Sequence, residues 1–92
     1  MVYFVTYKLH ARDGKLAKAH DAALDIQEYM ENYQGLRHMT IQTHPSESLV
    51  TLLQEWEGEK SYRTCVSSDD FELLMAKARP HLLENIDIKE YS

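Results

Sequence analysis

Three residues in this chain are the candidates for handling a proton: Tyr7, His38 and Tyr62. A phenol both donates and accepts a hydrogen bond, and an imidazole titrates near neutral pH, so these groups suit catalytic proton transfer. Three more, Trp56, Phe71 and Met75, can wall a slot for a flat molecule, with Tyr62 beside them. Aromatic faces and a flexible thioether are what such slots are made of. The chemistry expected of the set is binding and activation of a small aromatic or quinone-like compound. Each group also has a structural reading that stays open. Trp56 can be pure core, His38 an ordinary polar strand residue, and Tyr62 either core or pocket wall.

Charge and composition narrow the partners. The 92 residues carry a net charge of −5 with no basic run, which argues against nucleic acid and against an anionic membrane surface. The opening MVYFVTYKLH lacks a charged leader and is too short to span a bilayer. One cysteine, Cys65, rules out an internal disulfide and suits a reducing compartment, so a cytoplasmic location is expected. The five histidines, His10, His20, His38, His44 and His81, show neither His-x-His nor His-Glu-x-x-His spacing, and no metal is expected. No glycine-rich phosphate cradle is present, and no cofactor is expected either.

The elements that must position these groups follow from periodicity. Val2 to His10 alternates as a strand, with Tyr3, Val5, Tyr7 and Leu9 on one face. From Lys15 to about Tyr33, apolar residues recur at three and four, the stripe of a helix. Asp13 is its expected cap and Gly35 its expected left-handed stop. Leu36–His44 and Leu49–Trp56 read as antiparallel strands joined by Pro45-Ser46-Glu47-Ser48. Glu59 to Val66 fits a short helix. Ser67 with Asp70 forms a capping-box pattern for a second, which turns Phe71, Leu74, Met75, Ala78 and Leu82 inward and closes near Pro80. Ile86 to Tyr91 is a last strand.

The order β-α-β-β-α-β is the ferredoxin-like arrangement of an α+β protein: one antiparallel sheet with helices on one face. Residues 1–92 are expected to form a single domain. Two helices cover one face only, while the first and third strands carry apolar residues on both. A bare apolar face is poorly tolerated in a monomer, so a homodimer closed through the open sheet face is expected.

On these residues the chain resembles the antibiotic-biosynthesis-monooxygenase-like family of dimeric α+β barrels. The resemblance is carried by Val2–Leu9, Gly14 and Gly35, by Glu55-Trp56-Glu57-Gly58-Glu59-Lys60-Ser61-Tyr62, and by Phe71, Pro80 and Ile88–Tyr91. It implies a small-molecule enzyme, in some members an oxygenase that needs no cofactor. In members acting on anthrone-type substrates a tryptophan, a tyrosine and an asparagine line the pocket. Trp56 and Tyr62 match the first two, and Leu52 stands at the third. Cys65 and Asp70 stand where many members have two histidines. Around Tyr7, Cys65 and Met75 the haem-degrading set is absent, so haem degradation is not expected. Two functions follow: a cofactor-independent monooxygenase acting on an aromatic or quinone-like molecule, or a non-catalytic dimeric module that binds a ligand or stabilises a partner.

Overall fold

The computed structural model describes residues 2–91, so both ends of the expected 1–92 domain lie outside it. Strand β1 (Tyr3–His10) leads through a turn into helix α1 (Leu16–Met30). Strands β2 (Leu36–His44) and β3 (Leu49–Trp56) are joined by a 3-10 turn at Pro45–Glu47. Helices α2 (Glu59–Val66) and α3 (Asp69–Ala78) follow, then a 3-10 turn at Arg79–His81 and strand β4 (Asp87–Tyr91). The strands form one antiparallel sheet in the order β2-β3-β1-β4. This is the expected ferredoxin-like α+β architecture.

Residues opposite each other on antiparallel strands share a face, so the register sorts the sheet. Tyr3 faces Trp56, Val5 faces Gln54, Tyr7 faces Leu52 and Leu9 faces Val50. All eight are buried on the face that the helices cover. Helix α1 lays Ala19, Ala23, Ile26 and Met30 against it. Their spacing of three and four makes one stripe, and small alanines near its start let the helix sit close. No helix among the described residues is long and apolar enough to cross a membrane.

The open face is mixed rather than continuously apolar. Phe4, Leu53 and Tyr91 are 46%, 36% and 50% exposed, and they are interleaved with Thr6, Lys8, Glu55, Thr40 and Lys89.

Local signals resolve differently in several places. Helix α1 starts at Leu16 after Lys15 with no side-chain cap, so Asp13 does not cap it. Instead Lys15 N–H donates to Arg12 O at 2.9 Å, closing a turn in which Gly14 takes φ of +75°. Glycine reaches that left-handed conformation without a Cβ penalty. The far end of α1 is Met30, with Glu31 still in the right-handed helical region, so Gly35 is not a left-handed stop. Gly35 is needed for space: a Cβ there would run into the Ser61 side chain, and its carbonyl accepts from Glu57 N–H at 2.8 Å. The cap of α3 is Ser68, not Ser67; its hydroxyl accepts from Phe71 N–H at 3.1 Å. Leu82 lies beyond the helix, buried and bridged to Ala11.

Candidate functional site

Four of the six residues singled out from the sequence converge under the helices. Tyr7 comes from β1, Trp56 from the end of β3, Tyr62 from α2 and Phe71 from the first turn of α3. The Tyr7 and Tyr62 hydroxyls lie 2.7 Å apart, both buried. Trp56 stands edge-on to Tyr62, with ring centres 5.7 Å apart and planes at 67°. Phe71 lies 6.5 Å from Tyr7, and Tyr3 lies 6.0 Å from Tyr62. Tilted and edge contacts of this kind set the positive rim of one ring against the negative face of another.

This apolar cluster holds two hydrogen-bond donors with nothing to donate to. Whichever phenol of the Tyr7–Tyr62 pair donates to the other, one hydroxyl hydrogen stays unspent among the described residues. The second is Gln54, 3% exposed, whose Oε1 accepts from Trp56 Nε1 at 3.0 Å. An indole nitrogen only donates, so the amide cannot be turned over, and Nε2 points into the core with no partner among the described residues. An unmet buried donor costs about 1–3 kcal/mol, which makes the arrangement expensive unless something else accepts from it.

Burial, with Tyr62 alongside, pushes the Tyr7 phenol far above its ordinary range. Burial also raises Tyr62, partly offset by its bond to Tyr7. Both phenols are therefore neutral at physiological pH. They can donate to a ligand oxygen but cannot act as bases. Burial likewise pushes the Cys65 thiol up to about 11, so it is a small buried hydrophobe, not a nucleophile.

An ionic clasp closes one side of the cluster. Glu90, opposite Val5 on the helix-covered face, accepts from Tyr3 OH and pairs with Arg63. A second Arg63 bond to Glu90 spans 3.2 Å, and the guanidinium lies 5.4 Å from the Tyr62 ring centre. Burial works against the Glu90 charge, but bonds from Tyr3 and Arg63 and the Arg63 charge outweigh it and hold the carboxyl below its usual range. Tyr3 is pushed up to about 12, chiefly by its bond to Glu90.

A carboxyl with a depressed native pKa stabilises the fold above its unfolded value of about 4.3, and that contribution is lost as pH falls through the native value. Thermal melts of the wild type and Glu90→Gln, followed by circular dichroism, should therefore converge on acidification below about pH 4. Curves that stay parallel would remove Glu90 from the clasp.

Met75 lies apart from the four, on α3. With Arg79, Asn85, Ile86 and Ile88 it lines a groove of about 440 Å³ between α3 and β4. Ile88 sits opposite Tyr7 on the same face of the sheet, one strand away, while neither Tyr7 nor Tyr62 lines the groove.

His38 is not part of the assembly. Strict alternation expects Leu36 and His38 on one face, but a bulge between them breaks it. Leu36 pairs with Trp56 on the covered face, while His38 pairs with Glu55 on the open one, exposed and 3.1 Å from Thr40 Oγ1. The sequence reading missed Gln54, Tyr3, Arg63 and Glu90. Gln54 had a signal: it is a polar residue two before Trp56, on the same face of an otherwise apolar strand. Glu90 had none, because only the β1–β4 pairing brings it to Tyr3.

The architecture is shared by a class of solved proteins, several of them carrying the antibiotic biosynthesis monooxygenase name. Among these similar structures is SnoaB from Streptomyces nogalater, described as a cofactor-independent oxygenase. It superposes with a TM-score of 0.86 at 9% identity, over 99% of this chain and 91% of that one. A Caulobacter crescentus protein with the monooxygenase name gives 0.86 at 16% identity, over 98% and 87%. A conserved protein from Methanosarcina mazei gives 0.87 at 18% identity, over 99% and 91%. At these identities the likeness is one of fold. No family model matches the sequence, and no curated protein matches it.

Proposed function

We propose that the chain is a single-domain, cofactor-independent monooxygenase for a small aromatic or quinol-like molecule, a member of the antibiotic-biosynthesis-monooxygenase-like group it resembles. One observation carries this reading: two unspent donors, the spare Tyr7–Tyr62 hydroxyl and Gln54 Nε2, flank Trp56 in a core that is otherwise apolar. A ligand with an aromatic face and an oxygen edge would satisfy both needs. The fold shared with SnoaB supports the same direction.

The chemistry asks little of the protein beyond positioning and charge stabilisation. An anthrone-type substrate loses one proton to solvent and becomes an anion on oxygen, which a neutral phenol stabilises by donating to it. The anion reduces dioxygen and a peroxide forms at the ring CH₂ carbon. The peroxide O–O bond then breaks as the second C–H proton leaves. One oxygen atom stays as a new carbonyl; the other departs as water with both hydrogens. The substrate gives four electrons and dioxygen takes four. Tyr62 and Tyr7 are the donors, while Trp56 and Phe71 bound the aromatic face and Met75 the approach.

Oxygen consumption with a panel of quinols and anthrones tests it. Tyr62→Phe should lower turnover about 100–1,000-fold while leaving the fold intact, as loss of one oxyanion donor does. Unchanged uptake in that variant would end the assignment of Tyr62.

The closed packing favours a second reading. Tyr7 and Trp56 are fully buried, and none of the six residues is placed to act as a base. A non-catalytic ligand-binding or structural module would show no uptake with any panel member. In either reading the protein works in the cytoplasm as a homodimer, with Phe4, Leu53 and Tyr91 of the open sheet face covered by a second copy. Light scattering at micromolar concentration should return twice 10.8 kDa, and a monomeric mass would exclude the dimer.

A further inference from the structure

The groove between α3 and β4 has a chemistry of its own. Three of its five lining residues are apolar: Met75, Ile86 and Ile88. Met75 and Ile86 pack against the core, and Ile88 is left 41% exposed. The other two, Arg79 and Asn85, are exposed. Among the described residues Arg79, like Arg12, makes no ion pair, whereas Arg37 and Arg63 do. The Asn85 carboxamide makes no side-chain hydrogen bond among them either. A concave space of about 440 Å³ lies within the range of small-ligand pockets, and apolar walls with a few polar groups are their usual construction.

The composition of the groove selects a ligand class. A guanidinium is a planar fork whose N–H pairs match the two oxygens of a carboxylate. Of the four arginines, Arg79 is the one that lines this apolar groove, with its guanidinium free among the described residues. The Met75 thioether offers polarisable contact to a ring system, and the two isoleucines add apolar surface. We propose that this groove binds an aromatic acid, its carboxylate on Arg79, its ring against Met75, Ile86 and Ile88, and a further oxygen on Asn85. This rests on the oxygenase reading for its identity as the substrate's approach, because Ile88 lies opposite Tyr7. As a binding site it stands on the groove alone.

The test is calorimetric titration of the intact chain with naphthoate and with its neutral counterpart, naphthamide. The acid should bind more tightly than the amide, by about tenfold or more, the worth of one charge-assisted contact. Arg79→Gln should abolish that preference while leaving naphthamide affinity unchanged, and Arg79→Lys should restore part of it. Met75→Ala should weaken both ligands alike. In methyl NMR spectra the Met75 and Ile88 signals should shift on titration. Equal affinity for acid and amide, a preference that survives Arg79→Gln, absence of binding at millimolar naphthoate, or methyl shifts confined to other parts of the molecule would each overturn the proposal. Arg79 is exposed, so its variants should fold, and circular dichroism checks this. Binding is read without turnover. Naphthoate binding with no oxygen uptake would therefore sink the oxygenase and leave this site standing; uptake without an acid preference would do the reverse.

Discussion

Replacing Trp56 by alanine should cost about 3–5 kcal/mol of stability, read as a lower midpoint in urea denaturation followed by circular dichroism. Three losses combine. The indole is fully buried, so its transfer free energy is lost and a large cavity is left. Its edge contact with Tyr62 at 5.7 Å disappears, and with it a constraint on the α2 side chain that meets Tyr7. Gln54 Oε1 loses its only donor, so a side chain with one unmet group acquires a second. A domain of this length is stabilised by only about 5–14 kcal/mol in total, so the variant should sit near the edge of folding. Trp56→Phe should cost less, because it keeps a buried aromatic ring while removing the indole N–H and part of the ring volume. A loss below about 1 kcal/mol in the alanine variant would mean that the indole is not packed as described.

Gly35→Val should be the most damaging single change at an element junction, at the upper end of roughly 1–3 kcal/mol. The cause is space rather than backbone freedom. Gly35 does not have the positive φ of Gly14, but any Cβ at this position enters the volume of the Ser61 side chain. Helix α2 must then move away from the corner where Gly35 O holds Glu57 N–H, and Tyr62 moves with it. Introducing Ser61→Gly into the same chain should recover much of the loss by vacating that volume. Alone, Ser61→Gly should cost about 0.5 kcal/mol through its helix propensity. A double-mutant cycle therefore has a definite sign: the second substitution stabilises the Gly35→Val protein and destabilises the wild type. Additive losses would show that the two residues do not meet.

The alternation of Tyr3, Val5, Tyr7 and Leu9 and the stripe Ala19, Ala23, Ile26, Met30 were enough to set β1 and α1 in the sequence. Both are periodic patterns imposed by one buried face, and a buried face leaves its period in the chain. The bounds of α2 and the end of α3 before Pro80 were legible for the same reason of local chemistry. Caps were less so: Ser67 and Ser68 are adjacent, and which hydroxyl reaches Phe71 N–H depends on how the chain leaves α2. The bulge that turns His38 outward is invisible to a period of two, since one inserted residue reverses every assignment on one side of it.

The site itself was legible in part. Tyr7, Trp56, Tyr62 and Phe71 could be named because large aromatic residues on short elements stand out. Their contacts could not, because the Tyr7–Tyr62 bond joins residues 55 positions apart. Glu90 and Arg63 meet 27 positions apart, and only the completed sheet brings them together. The unpaired Gln54 amide is a property of orientation, fixed by an indole that can only donate.

The single buried tryptophan also has an optical consequence. One indole in the chain means one tryptophan emitter, and here it sits against Gln54 and Tyr62. Its emission should be blue-shifted by the apolar surroundings and fed by energy transfer from Tyr62 at 5.7 Å and from the other tyrosines. A ligand oxygen arriving at the Gln54 amide, a shift of α2, or opening of the core would each change that one signal without any added label.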